Sequence, residues 1–330
     1  MAGIIANPAS GKDIRRLVAH ASVFGNDEKV AIVRRVIMGM VEAGVERVLY
    51  MPDPYKLIPQ AIDGLGVDKH LVPVEGAFHA NANDTVVAAR EMAEAGAKVV
   101  VSLGGDGTNR SLVQGSSDIP LIPVSTGTNN VFPIMIEGTI VGLAAAAVAT
   151  GAVDPDAVGK RCKKIEISVD GQARDVALID AVLLDGVFIG SRAVWDMSLV
   201  REALLTRALP AAIGLSAIGG QITTINPDDD VALYVRLARD DEPVKHRFRA
   251  AIAPGLVHEI AVAQADRLDL GAIVAVQGPG MFALDGEREF PLKPGENATM
   301  TVRRSGPLVV DIEKTLEAAR DAGFLRMKPD

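Results

Sequence analysis

The first half of the chain alternates short unbroken apolar runs with longer stretches in which apolar residues recur every three or four positions. The short runs read as buried strands, the long stretches as helices with one face in a core. Gly3-Ile4-Ile5-Ala6 is such a run, ended by Asn7-Pro8. Val33, Val36, Ile37, Met40 and Val41 fall on one face of a helix over 27–43, with Gly44 as its C-cap. Val45 to Met51 reads as a strand that Pro52 stops. Asp84 is placed to cap a helix running to Ala95, with Gly96 at its end. Lys98 to Leu103, rich in β-branched residues, reads as a central strand, and Pro120 to Val124 as another. Such alternation predicts a parallel sheet with right-handed crossovers, a doubly wound α/β domain over about 1–150.

Beyond Gly151 the period changes. Asp154-Pro155-Asp156 and the basic cluster after it read as a linker. Ile165, Ile167 and Val169 alternate with Lys164, Glu166 and Ser168, which predicts a strand with one buried face. Asp170-Gly171 is a two-residue hairpin signal, with a second strand running through Leu183. Val231, Leu233, Val235 and Leu237 alternate again, as do parts of 260–265 and 273–276. The prediction is a mostly antiparallel β domain over 155–302, interrupted by a helix near Leu199 to Leu209. Two uncharged stretches, 138–153 and about 208–227, read as buried helix or loop. The first is shorter than a bilayer span and the second is broken by proline and glycine. After Gly306 a strand (308–312) and a helix (313–322) are expected to dock back on the first domain.

A length of 330 residues agrees with two domains. With 48% hydrophobic and 23% charged residues the chain can bury a full core, which excludes disorder as its main state. Aromatics are only 4%, so that core must be aliphatic. The net charge of −8 argues against a nucleic-acid partner and a polybasic membrane anchor. Residues 1–12 show no basic stretch leading into an apolar run of signal length. The single cysteine, Cys162, excludes an intrachain disulfide and fits a reducing, cytoplasmic location. Lys160, Arg161, Lys163 and Lys164 around it predict a lowered thiol pKa.

Candidate chemistry lies in three loops, each directly after a predicted strand. Gly104-Gly105-Asp106-Gly107-Thr108 places three glycines where backbone N–H groups can approach an anion, at the start of a helix. A carboxylate beside a phosphate is repulsive unless Mg²⁺ lies between them or the carboxylate takes a proton from an attacking hydroxyl, and both are kinase roles. The competing reading is a tight turn whose aspartate caps the next helix. Asn7-Pro8-Ala9-Ser10-Gly11-Lys12 supplies a fixed turn, donors and one cation. Pro123-Val124-Ser125-Thr126-Gly127-Thr128-Asn129-Asn130 crowds hydroxyls and amides around one glycine, a set suited to ribose, base or phosphate. Neither a G-x-G-x-x-G fingerprint nor a G-x-x-x-x-G-K-[ST] P-loop occurs at these loops, and His258-Glu259 lacks the second histidine of a zinc-protease motif.

Asn-Pro-x-Ser-Gly-Lys, Gly-Gly-Asp-Gly-Thr and Pro-x-x-Thr-Gly-Thr-Asn-Asn in this order resemble the NAD kinase and diacylglycerol kinase superfamily, and Asp285-Gly286-Glu287 matches its fourth motif. The opening, Ile4 to Leu17, is similar to the acetoin-catabolism protein X group within it. The resemblance implies a two-domain fold and ATP- and Mg²⁺-dependent phosphorylation of a hydroxyl, with NAD⁺ as the default acceptor. It makes Asp106 the proton acceptor. Asn7, Ser10, Gly11, Lys12, Gly104, Gly105, Gly107, Thr108, Thr126, Gly127, Thr128, Asn129 and Asn130 become nucleotide-binding residues, and Asp285 and Glu287 lie at the nucleotide or metal. It also implies a homo-oligomer. The family's Asn-Glu pair, which grips the dinucleotide, is replaced by Ala177-Leu178-Ile179-Asp180, so Asp180 keeps a carboxylate at the acceptor and the amide is lost. Gly186-Val187-Phe188-Ile189-Gly190 resembles the lipid-kinase layout instead. A small hydroxyketone, a lipid hydroxyl, or a nucleotide-sensing role without turnover are therefore the alternatives.

Overall fold

The computed structural model describes residues 1–11, 24–127, 130–186 and 196–327. Its first half runs β1 (Ala2–Ala6), α1 (Asn26–Glu42), β2 (Val48–Tyr50), α2 (Leu57–Ile62), β3 (Leu71–Pro73), α3 (Ala82–Glu94), β4 (Val100–Gly104), α4 (Asp106–Gly115), β5 (Leu121–Ser125), α5 (Gly138–Ala149), α6 (Pro155–Val158) and β6 (Gly159–Arg161). The second half is β7 (Lys164–Val169), β8 (Gln172–Ala177), β9 (Asp180–Leu184), β10 (Val200–Leu205), α7 (Leu215–Gly220), β11 (Val231–Leu237), β12 (His246–Ala253), β13 (Leu256–Asp269), β14 (Ile273–Gln277), β15 (Gly280–Leu284), β16 (Glu287–Leu292) and β17 (Asn297–Arg303). The tail is β18 (Leu308–Val310) and α8 (Ile312–Asp321).

The first sheet has the order β3-β2-β1-β4-β5-β18-β6. Its pairs are parallel except β18–β6. The chain winds outward from β1 through β2 to β3, then returns to β4 on the other side of β1. That reversal is the switch point at which open α/β sheets bind ligands. Helices α1, α2, α5 and α8 pack on one face of the sheet and α3 and α4 on the other. The α1–α5 contact is close because glycines line it. A Cβ on Gly142 would lie 2.9 Å from Gly39 Cα, and one on Gly39 would lie 2.7 Å from Thr139 O. The second half forms two antiparallel sheets, β12-β13-β11-β10-β9-β15-β16 and β14-β17-β7-β8, and aliphatic residues of both fill the space between them. The α/β and β-rich architecture expected from the periodicity is therefore present. No described helix is long and apolar enough to cross a membrane.

Four expectations are corrected. Leu199 to Leu209 is not a helix: β10 runs through it, paired on both sides with β9 and β11. Its Leu, Arg, Glu and Ala favour a helix locally, but ladders on both edges decide the matter. The strand expected through Leu183 breaks at Leu178-Ile179, so β8 joins one sheet and β9 the other. Both residues are buried in the core of the α/β half. Asp84 is not the cap of α3. Asn81 is, and Asp84 completes the capping box by accepting from its backbone N–H. The linker at 154–156 is the start of α6, which Asp154 caps. The hairpin signal held: Asp170 and Gly171 have φ of +48° and +78°, the left-handed pair a type I′ turn needs.

Candidate active site

The loops after β1, β4 and β5 meet at the carboxyl ends of three adjacent strands. Asn7 Nδ2 donates to Thr108 Oγ1 at 2.8 Å, and the hydroxyls of Ser10 and Thr126 are 2.8 Å apart. Thr126 N donates to Gly104 O, and Asn130 Nδ2 donates to Ser125 Oγ at 2.7 Å. Side chains expected to hold nucleotide thus spend their polar atoms on each other, and Thr126 is fully buried. Lys12, Thr128, Asn129 and the segment Val187 to Gly190 lie outside the described residues.

The glycines close the loop on the protein itself. None of Gly104, Gly105 and Gly107 takes a positive φ. A Cβ on Gly104 would meet the Thr108 side chain at 2.5 Å, and one on Gly105 would meet Asn130 Oδ1 at 2.7 Å. Gly107 faces Glu287: a Cβ there would lie 3.7 Å from the Glu287 carboxyl carbon, so β16 brings that carboxylate to the loop. Gly11 does need the left-handed region, with φ of +70°, and a Cβ on it would meet Thr126 O at 2.6 Å.

Gly105 is the N-cap of α4 and Asp106 its first residue. The carboxylate of Asp106 reaches across to the segment after β5. It accepts from Val131 N at 3.1 Å and from Phe132 N at 2.8 Å. It thereby fixes the segment after β5 and lines a cleft between the two halves. Asp180 and Asp285 line the same cleft from the β-rich half, with Val131, Met197, Ile213, Leu215 and Ile252 as its aliphatic wall.

Asp285, expected at a metal, has a side chain with 0% exposure. Its carboxylate accepts from Leu178 N at 3.0 Å, Ile179 N at 2.7 Å and Asp180 N at 3.3 Å. Burial pushes its pKa up to about 7, against the pull of the Arg110 guanidinium and the amides of Ile179 and Leu178. A carboxylate enclosed in this way anchors the β8–β9 corner and does not fit a metal ligand. Among the described residues no three His, Cys, Asp or Glu side chains converge on a metal position. Mg²⁺ characteristically takes one or two carboxylates and completes its shell with substrate phosphates and water. Glu287, whose carboxyl stands beside Gly107 of the loop, fits as such a carboxylate.

Three basic residues at the site carried no motif. Lys29 is fully buried at the start of α1, and its Nζ donates to the carbonyls of Asn7, Pro8 and Ser10 and to Asn26 Oδ1. Its position four residues before Val33, on the apolar face, was the available signal. Arg110 and Arg207 are also buried and bind partners far away in sequence, which no local pattern displays. The Cys162 expectation is reversed: burial raises the thiol pKa, outweighing Arg207 and Arg304.

A family model for the ATP-NAD kinase N-terminal domain matches residues 3–152, and one for the acetoin catabolism protein X C-terminal domain matches residues 163–305. The chain is 38% identical to acetoin catabolism protein X of Cupriavidus necator over 339 aligned residues, covering 99% of this chain and 94% of that protein. Yeast NADH kinase, solved in complex with NADH, superposes with a TM-score of 0.54 at 12% identity, over 100% of this chain and 89% of that one. A diacylglycerol kinase-like protein of Bacillus anthracis gives a TM-score of 0.46 at 12% identity, over 94% and 97% of the two chains.

Proposed function

Because the chain belongs to the acetoin catabolism protein X family and carries the NAD kinase fold, we propose that it is an ATP-dependent kinase that phosphorylates a hydroxyl group of a small molecule. The observation that carries this reading is the shared cleft. Asp106, on the glycine loop of one half, and Asp180, on the other half, line the same space. An acceptor hydroxyl in that space can give its proton to Asp106, and Asp180 can accept a hydrogen bond from a second donor group where the acceptor molecule carries one. Phosphoryl transfer needs chiefly such positioning and electrostatic stabilisation. The triphosphate would lie along Gly105 to Gly107 at the N-terminus of α4, where backbone N–H groups and the helix dipole favour anions. Glu287, beside Gly107, would hold Mg²⁺, which would supply charge neutralisation for the phosphates there.

NAD⁺ and a small hydroxyketone are the two acceptors to weigh. The cleft presents carboxylates and an aliphatic wall. Carboxylates accept from neutral hydroxyls and repel the pyrophosphate of a dinucleotide, and aliphatic side chains suit a short hydrocarbon body. This favours the neutral, short-chain alcohol, in keeping with the name of the relative from Cupriavidus necator. The test is ADP release with acetoin and related ketols, NAD⁺ and diacylglycerol, beside ATP affinity by calorimetry. ADP release with ketols supports the reading. Release with NAD⁺ alone replaces the acceptor. ATP binding without ADP release from any of them makes the protein a nucleotide sensor.

A further inference from the structure

Two buried arginines cross between the halves in opposite directions. Arg110, on α4 of the α/β half, is 5% exposed. Its Nη1 lies 3.2 Å from both carboxylate oxygens of Asp175 on β8, and its Nη2 bonds Glu289 on β16. Its Nε stands 3.9 Å from Asp285 Oδ2. Asp285 in turn holds the backbone amides of Leu178, Ile179 and Asp180. Arg207 follows β10 in the β-rich half and is 8% exposed. Its Nη1 donates to Val131 O at 3.2 Å, and its guanidinium carbon lies 5.6 Å from the centre of the Phe132 ring. The amides of Val131 and Phe132 hold Asp106.

The two chains of contact mirror each other. Asp106 is tied through its carboxylate to the 131–132 backbone and Asp180 through its backbone N–H to Asp285, and in each case an arginine from the opposite half grips that segment or its anchor. Neither arginine is among the residues that line the cleft. We infer that Arg110 and Arg207 are positioning residues that together set the separation of Asp106 and Asp180 across the cleft. Lysine cannot replace either one. Arg110 uses the fork of its guanidinium to meet carboxylates on two strands at once, and Arg207 uses its flat face on Phe132 while an edge nitrogen reaches a carbonyl. The catalytic consequence rests on the kinase reading: a displacement of about 1 Å between reacting groups costs about 100-fold in rate.

The experiment compares Arg110→Lys, Arg207→Lys and the double variant with the wild type by hydrogen–deuterium exchange of peptides covering residues 130–133 and 177–181, with kcat, KM and ATP affinity measured in parallel. Arg207→Lys is expected to speed exchange at 130–133, and Arg110→Lys at 177–181. Each should lower kcat at least tenfold while ATP affinity stays within about threefold, and the double variant should lose less than the product of the single losses, since both act on one separation. Phe132→Leu, which removes only the face under Arg207, should reproduce the Arg207→Lys exchange pattern if Arg207→Lys itself fails to fold. Unchanged exchange at both segments overturns the inference, as does a kcat loss with multiplicative double-variant behaviour. If the wild type binds ATP and releases no ADP from any acceptor, the kinase reading falls, and the exchange pattern alone decides whether the arginines hold the two segments.

Discussion

Replacing Asp285 by Asn removes a carboxyl whose pKa burial has raised to about 7. In the unfolded chain the same group titrates near the ordinary aspartate value of about 3.9. The folded state therefore keeps a proton that the unfolded state has already lost across the window between these values. Stability from this group is complete below the unfolded pKa and is lost as pH rises through about 7. The slope is about 1.4 kcal/mol per pH unit. Between pH 5 and pH 8, with some two of those units below the folded pKa, the wild type should lose about 3 kcal/mol relative to Asp285→Asn. The substitution also removes one acceptor oxygen facing the amides of 178–180 and weakens the tie to Arg110. That adds a pH-independent loss of about 1–3 kcal/mol, so the variant is the less stable protein at pH 5 and approaches or overtakes the wild type at pH 8. Urea unfolding of both proteins at half-unit pH steps gives the difference directly. A difference that stays flat from pH 5 to pH 8 would mean that the three amides and Arg110 fully offset the burial, and the reasoning would be refuted.

Asp106→Asn keeps the size of the side chain but loses the base, so turnover should fall by about 10²–10⁴-fold while ATP affinity by calorimetry changes little; turnover within threefold of wild type would remove Asp106 from the mechanism. Asp180→Ala should raise the KM of the true acceptor far more than that of ATP, and equal effects on the two would take Asp180 out of the acceptor site. Lys29→Met leaves three loop carbonyls without their buried donor and should cost roughly 3 kcal/mol in urea unfolding, accompanied by weaker ATP binding as the loop after β1 loosens. Gly142→Val drives a side chain into the backbone of α1, where even a Cβ would come within 2.9 Å of Gly39 Cα; a loss of about 2–3 kcal/mol is expected, and an unchanged midpoint would mean that the helices can part without cost.

What the sequence discloses here is what short-range rules govern. Strands such as Gly3–Ala6 and 98–103, the Asp170-Gly171 turn and the three loops depend on neighbours within a few residues, and all stand where the pattern puts them. The misread helix at 199–209 shows the limit. Its composition is helical, yet β10 lies between two strands, and those ladders override a weak local preference. The site divides the same way. Asp106 and Asp180 were named from motifs, whereas the partner of Asp106 is a pair of amides 25 and 26 residues on, and Arg110 meets Glu289 179 residues away. Glycine motifs carried a second ambiguity. Gly104 and Gly105 were assigned to ligand approach, but their missing side chains make room for Thr108 and Asn130. A sequence shows that a position must be small and leaves open what occupies the space.

The place of β18 has a consequence for how the protein is made. This strand lies between β5 and β6 in the first sheet, pairing at Val309 with Leu121 and at Leu308 to Val310 with 159–161. A ribosome emits β5 well before β18, with the whole β-rich half between them. At about 5–20 residues per second, the roughly 190 residues from β5 to β18 take on the order of 10–40 s. During that time the outer edge of β5 at Leu121, which Val309 covers in the finished sheet, is open to pairing with another nascent chain, whereas its far end is bridged at Val124 by Ile134. The β-rich half can fold meanwhile, since β10, its neighbours β9 and β11 and the rest of its strands lie within one uninterrupted stretch of chain. The α/β sheet is thus completed only after the β-rich half has been made, and a chain truncated before β18 would lack the strand that joins β6 to β5.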